Sequence, residues 1–355
     1  MHWVVVAPFN TADEDRGWLT PFVPGHDHTF RLVGRPPGLA KHAGGSNLSA
    51  KGWWYTWQYA RRAWRQRPSD KPAGVLTVFP QLAVTSGLRG RLSPADAPIV
   101  AWCFNMGRLY HGVKGSVARF ALRHVRKFVV HSRAEVGQYS RWLDLPADRF
   151  EFVHLQRAVR PITRGEERDK PFVLAMGSAK RDYRTFLAAV GKLNLPTVVV
   201  AAPYALEGLT VPPNVTVKCG LSYDQCRDLA QEARISVVPV ANDQTASGQV
   251  TVIDAMSLRR PVVATRCIGT EDYIRSGETG ILVEPGSVDD LAGAVERLWN
   301  DEAMRERLGA NAREYATKHC SDEAAGVALK RVLDEVAGMG PTGTTQPAEP
   351  RSAAA

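Results

Sequence analysis

The sequence predicts an α/β protein made of two doubly wound domains facing a central cleft, and three observations lead there. The chain has 355 residues, more than a single hydrophobic core usually organises. Short runs rich in Val, Ile and Phe alternate along it with segments of helical period, the pattern of parallel strands buried on both faces and joined by helices. A polar stretch without periodicity, 161–170, divides two such series into a first domain, 1–160, and a second, 171–320.

In the first domain, strands are expected at His2–Pro8, Gly74–Phe79, Pro98–Cys103, Phe128–His131 and Phe150–His154. Helices are expected at Gly52–Arg67, Lys114–His124 and Arg133–Leu143. The last opens in VVHSRAEV, where Ser132 is the expected N-cap and Glu135, three residues on, completes a capping box. In the second domain the strands are Phe172–Met176, Thr197–Ala201, Val215–Cys219, Ile235–Pro239, Pro261–Thr265 and Gly280–Val283. Its helices are Arg181–Lys192, Ser222–Glu232, Val250–Leu258, Val288–Asn300 and Glu302–Lys318. A further helix, Asp322–Val336, occupies 321–338, and the tail 339–355, rich in Pro, Thr and Ala, reads as disordered.

An apolar fraction of 44% and a charged fraction of 23% are those of a soluble globular protein. No window approaches the ~20 apolar residues of a membrane span, and MHWVVVAPF is too short an apolar run for a secretory leader. The five cysteines include no CxxC pair, which reads as reduced thiols in the cytoplasm. The net charge of +9 is uneven: residues 1–160 carry +13 and the remainder −4. A basic first half points to an anionic partner, either a phosphate-bearing acceptor or an acidic membrane surface at the inner face; the plainer reading is a solvated basic surface. No nucleic-acid-binding motif accompanies the charge, so nucleic acid is not expected. Trp53, Trp54, Tyr55, Trp57 and Trp64 with Arg61, Arg62, Arg65 and Arg67 read as a core face plus a solvated face, or as a membrane-surface site.

Two stretches carry anion chemistry. Met176-Gly177-Ser178-Ala179-Lys180-Arg181-Asp182 follows a strand and opens a helix, so backbone N–H groups, Lys180 and Arg181 converge where a pyrophosphate would fit. Thr245-Ala246-Ser247-Gly248-Gln249-Val250-Thr251 places small residues at another helix start, with Asp254 about one turn further in. There is no GxGxxG and no Walker lysine motif, which argues against dinucleotide and P-loop proteins.

The run VIDAMSLRRPVVAT…GTEDYIRSGETGILVEPGSVDDLAGAVERLWND resembles the C-terminal half of glycosyltransferase family 4 (glycosyl transferases group 1), retaining enzymes of the GT-B fold with two Rossmann-like domains. The likeness extends more weakly from Phe172 to about Lys318. It implies transfer of a sugar from a nucleotide-diphosphate sugar, bound mainly by the second domain, with no cofactor and no metal ion. Carried over by position, Gly177 and Arg181 correspond to the family's glycine and pyrophosphate-binding base, and Asp254 to the second of its two glutamates. The chain departs from the pattern at Ser178, where the family has arginine, and at Ala246, where it has its first glutamate. Ser247, Gly248, Gln249 and their amides, with Ser178 and Lys180, are the remaining donor-binding candidates, and Tyr223 and Leu221 are candidate walls for the nucleobase. The family places a histidine near the end of a first-domain strand, against donor sugar or acceptor; His111 and Asn105 are the nearest polar candidates for a catalytic role. His131 reads as a structural hydrogen-bonding residue. Asp13-Glu14-Asp15 matches a metal-binding DxD by letters, yet lies in the first strand-to-helix loop and is not assigned a metal. The resemblance also implies that the last helix returns to the first domain. Acceptors of this reading are anionic, lipid-linked or saccharide, with peripheral membrane contact through the basic first domain. Two rivals remain: an epimerase of the same fold acting on the nucleotide sugar alone, and a non-catalytic sugar-nucleotide-binding protein.

Overall fold

The computed structural model describes residues 1–8, 18–35, 49–93, 97–241 and 246–339. In chain order the first domain contains β1 (His2–Val6), β2 (Thr29–Leu32), α1 (Ala50–Arg65), β3 (Ala73–Val78), α2 (Pro80–Arg91), β4 (Ile99–Trp102), α3 (Gly112–Leu122), β5 (Lys127–Val130), α4 (Arg133–Leu143) and β6 (Phe150–Phe152). The second contains β7 (Val173–Met176), α5 (Tyr183–Leu193), β8 (Thr197–Val200), β9 (Val215–Lys218), α6 (Tyr223–Glu232), β10 (Ile235–Val238), α7 (Gln249–Ser257), β11 (Val262–Thr265), β12 (Ile281–Val283), α8 (Val288–Asn300) and α9 (Glu302–Cys320), and α10 (Asp322–Val336) follows. Both sheets are parallel and six-stranded, in the orders β2-β1-β3-β4-β5-β6 and β12-β11-β10-β7-β8-β9. This is the two-domain α/β architecture that the alternating pattern predicts.

Topology decides what covers each face. From β2 to β6 every crossover steps in one direction, and right-handed connections then put α1, α2, α3 and α4 on one side. Tyr59, Leu82, Leu122 and Tyr139 of those helices share a core with Val4, Val75 and Phe128 of the strands. Only β1 to β2 steps the other way, which leaves the opposite face short of helices. There α10 buries Ala325, Leu329, Val332 and Leu333 against Trp3, Val5, Leu76 and Trp102 of the first sheet. A buried chain of Trp3 Nε1 to His28 Nδ1 (3.1 Å) and His28 Nε2 to Asp334 (2.9 Å) anchors that helix. The link 161–170 is held to the second domain, with Thr163 and Arg164 donating to Gln231 Oε1 and Glu166 pairing with Arg234 at 2.6 Å.

Two elements lack the expected pattern for physical reasons. The edge strand β2 alternates exposed and half-buried side chains and carries little apolar signal. Helix α2 is buried on nearly every side between α1 and α3, so it has no polar face to reveal a period, and Gly87 lets it lie on α3: a Cβ there would sit 2.3 Å from the Ala121 carbonyl. The capping box on α4 is also corrected. Ser132 stands at the N-cap but its hydroxyl makes no cap bond, while Glu135 is fully buried and accepts a hydrogen bond from the Tyr139 hydroxyl at 3.0 Å. Of the aromatic segment, Tyr59 and Trp64 face the core, and Trp53 and Trp54 are exposed. Asp13-Glu14-Asp15, Thr245 and the tail from Gly340 lie outside the described residues.

Candidate active site

In the second sheet β7, β8 and β9 progress to one side, and the chain then returns to lay β10 on the other side of β7. The carboxyl ends of β7 and β10 therefore send their chains apart and open a crevice, the usual ligand position in doubly wound sheets. A cavity of about 340 Å³ occupies it, lined by Gly177 and Ser178 after β7, Leu221 and Tyr223 at the head of α6, and Thr251 and Asp254 on α7.

Arg181 lies beside this cavity without a counter-charge. Its guanidinium donates to the Met176 carbonyl at 3.2 Å, the Ala179 carbonyl at 2.9 Å and Thr251 Oγ1 at 3.0 Å, all neutral acceptors. Among the described residues no carboxylate pairs with it, and burial pushes its pKa below the usual arginine value. Gly177, at φ 109°, makes the position available: a Cβ there would come within 2.7 Å of Arg181 Nη2. The neighbouring helix α7 starts at Gly248, at φ 85°, whose missing side chain leaves the first-turn N–H groups uncapped. Ser247 Oγ, just before it, is buried without a hydrogen-bond partner. Ser178 Oγ accepts from the Ala202 N–H at 2.7 Å and so ties down the end of β8. Lys180 reaches across the cleft to the Gly107 carbonyl at 3.3 Å.

Asp254 has a partner the sequence reading missed. Arg157, in the chain leaving β6, donates from Nε and Nη2 to its two carboxylate oxygens at 2.9 and 3.0 Å. Burial alone would lower the pKa of Arg157; the Asp254 hydrogen bonds and charge outweigh it and raise the pKa. At the cavity rim the guanidinium of Arg160, also missed, lies 5.3 Å from the centre of the half-exposed Tyr223 ring. Both arginines come from a segment without periodicity, and only the tertiary fold shows what they face.

On the first-domain side the candidates separate. Asn105 has both ends of its carboxamide engaged: Nδ2 donates to the Ala246 carbonyl at 2.9 Å and Oδ1 accepts from the Gly107 N–H at 2.9 Å. It thus bridges the domains at the position where the resemblance implies a glutamate. His111 is exposed at the N-cap of α3 and makes no cap bond. The side chain of Gln249 belongs to the joint rather than the cavity: Nε2 donates to the His131 carbonyl at 2.6 Å, and the Tyr273 hydroxyl donates to the same oxygen at 2.8 Å. His131 itself bonds Val153 O through Nδ1 at 2.7 Å and meets Cys103 Sγ through Nε2 at 3.1 Å, and burial pushes its pKa down to about 4. It is a structural residue. Among the described residues no three His, Cys, Asp or Glu side chains form a group suited to a metal ion.

The fold and the site define the class: a GT-B protein whose second domain matches the family Glycosyl transferases group 1 over residues 174–315. Among curated relatives the chain is similar to alpha-D-kanosaminyltransferase of Streptomyces kanamyceticus, 26% identical over 259 residues that cover 64% of this chain and 66% of that one. The match thus spans slightly less than two thirds of that relative's length. Among solved structures it resembles sucrose-phosphate synthase of Thermosynechococcus elongatus (TM-score 0.70, 16% identity, 95% of this chain and 99% of that one). It also resembles HepE of Anabaena in complex with UDP and glucose (TM-score 0.64, 14% identity, 95% and 99% covered). At these identities the structural likeness establishes the fold alone.

Proposed function

We propose that the protein is a glycosyltransferase that moves a sugar from a nucleotide-diphosphate donor to an acceptor, with retention and without a metal ion. The observation that carries this is Arg181, a half-buried cation with only neutral partners among the described residues, held against Gly177 and Thr251, which line the 340 Å³ cavity. A partly desolvated cation without a counter-charge is less favourable than one completed by an anion. A donor pyrophosphate laid against Arg181, Lys180 and the first turn of α7 supplies that anion, and the same groups stabilise the charge of the departing diphosphate. The nucleobase lies toward Leu221 and Tyr223, with Arg160 backing the ring. Ribose hydroxyls approach Asp254, whose carboxylate, oriented by Arg157, keeps lone pairs to accept them. HepE of Anabaena was solved with UDP and glucose, so UDP is the first donor base to test. His111, exposed at the head of α3, is the group offered to the acceptor, and Asn105 sets the separation of the two domains.

The acceptor in this reading is a saccharide or an anionic, lipid-linked molecule met at the inner membrane face. Helix α3 supports it: Val113, Val117 and Phe120, 81%, 49% and 53% exposed, lie at i, i+4 and i+7 on one face. Lys114 beside them and Arg91, whose guanidinium lies 4.3 Å from the Phe120 ring centre, suit an acidic headgroup layer. Ala246 favours one rival, donor binding without transfer, because it offers no carboxylate to the sugar.

Thermal-shift titration with UDP, GDP, ADP and their sugar conjugates tests the donor site, since a ligand of the native state raises the melting temperature. A shift with one nucleotide that is lost in Arg181→Ala and Asp254→Ala supports the reading; no shift with any of them rejects it. Product analysis with and without acceptor then separates transfer from epimerisation.

A further inference from the structure

The structure assigns a second anion site, at the end of the first domain opposite the cleft. A recess of about 340 Å³ opens there between the carboxyl end of α1 and the edge of the first sheet, where the strands begin. His2 of β1, Arg31 of β2, Arg65 at the end of α1, and Arg67 and Lys71 in the turn before β3 line it, with Asp70 the one acid among them. Sheet register explains the convergence. Val4 pairs with Arg31 and His2 with Thr29, so these side chains point to the face where Val4 packs under Tyr59 and Ala63 of α1.

The cations are uncompensated. Arg31, Arg65, Arg67 and Lys71 make no ion pair and no side-chain hydrogen bond among the described residues. Arg67 is held in place by the Trp64 ring, 5.2 Å from its guanidinium, while its Nε is buried with no partner. Burial and then the charge of Arg89 lower the pKa of Arg67; burial, followed by Arg31 and Lys71, lowers that of His2. A concave recess that disfavours further protons and carries spare guanidinium and ammonium donors is matched to a multiply charged phosphate. Roughly 15 Å of strand separates it from the carboxyl ends that face the cleft, at about 3.3 Å per residue. One ligand therefore does not span both sites, and the recess is independent of the donor reading.

The phosphate is that of a soluble phosphorylated molecule or of a phospholipid headgroup, and two arms of one experiment separate these. Calorimetric titration with inorganic pyrophosphate is run on wild type, on Arg65→Ser/Lys71→Ser, on Arg31→Ser and on Arg181→Met. Co-sedimentation of the same proteins uses phosphatidylcholine vesicles with and without phosphatidylglycerol. The expected result is a pyrophosphate-binding event that weakens about tenfold or more in both recess variants and persists in Arg181→Met, since each variant removes charge-assisted hydrogen bonds. If vesicle binding is unchanged in the recess variants, the ligand is soluble; if it falls in step and pyrophosphate competes for it, the ligand is a headgroup. Wild-type binding of both pyrophosphate and vesicles in recess variants that keep the wild-type melting temperature overturns the assignment. Loss confined to Arg181→Met overturns it as well and leaves the donor site standing.

Discussion

Arg157 and Asp254 form a two-pronged pair, Nε to Oδ1 at 2.9 Å and Nη2 to Oδ2 at 3.0 Å, that ties the chain leaving the first domain to helix α7 of the second. Removing the carboxylate strips the proposed ribose acceptor and leaves a part-buried arginine unpaired. Asp254→Ala is expected to raise the donor KM roughly 10- to 100-fold, the equivalent of about 1.5–3 kcal/mol for hydrogen bonds to a charged group. Initial rates at varied donor concentration check this; an unchanged KM rejects the ribose role.

In the proposed reaction Arg181 acts on the leaving group, so its loss should appear in kcat. Arg181→Met is expected to lower kcat by about 10²–10³, comparable to removing one preorganised donor from an oxyanion site. Gly177→Ala should imitate it, because the new methyl claims the space of Arg181 Nη2, 2.7 Å away. Steady-state kinetics of both variants, beside their melting curves, distinguish a displaced guanidinium from a general loss of fold.

At the joint between domains the His131 carbonyl takes hydrogen bonds from both Gln249 and Tyr273. The Tyr273 hydroxyl also accepts the Leu155 N–H at 2.9 Å. Tyr273→Phe removes the partner of that half-buried N–H and one of the two donors to the His131 carbonyl, and should cost about 1–3 kcal/mol. Urea denaturation followed by fluorescence measures it, and a midpoint equal to wild type would remove the joint's claimed importance.

Glu135 makes stability fall as pH rises. Burial, chief among the causes, pushes its carboxyl up to about 7 from 4.5, so between those values the folded chain holds a proton that the unfolded chain has released. Its contribution is complete below pH 4.5 and lost as pH climbs through 7. His131, pushed down to about 4 from 6.5, works in the opposite sense and loses its contribution as pH falls through 4. Glu135→Gln mimics the protonated acid. It is therefore expected to gain on the order of 3 kcal/mol over wild type at pH 8, at about 1.4 kcal/mol per pKa unit, with the gain shrinking by pH 5. Thermal melts at the two pH values decide.

On α3 the apolar stripe should matter only at a membrane. Val117→Ser/Phe120→Ser is expected to reduce co-sedimentation with phosphatidylglycerol-containing vesicles at least several-fold, through lost apolar burial at roughly 25 cal/mol per Å². Activity on a soluble acceptor should be retained. Equal vesicle binding by variant and wild type would leave the stripe without this role.

Much of the fold was legible before any coordinates. Strands such as Val173–Met176 and Ile235–Val238 are short, apolar and almost wholly buried, and α4, α8 and α10 start and stop where the pattern puts them. Helix α2 was not legible, because a helix covered on all sides has no periodic contrast to read. In the site, Gly177, Ser178, Tyr223 and Asp254 line the cavity, and their local strand–turn–helix chemistry marks them out. The tasks of Gln249 and Asn105 were not legible: their amides are spent on carbonyls 118 and 141 residues away in the chain.

The sequence by itself determined the alternation of strand and helix, the two-domain plan and the places where backbone amides and cations gather, because each depends on neighbours within a turn or two. Tertiary structure alone decided which charges are matched. Arg157 meets Asp254, 97 residues away, whereas Arg181 and the cations of the rear recess meet no carboxylate among the described residues. Charge pairing depends on distance in space and on burial, and neither is written in spacing along the chain.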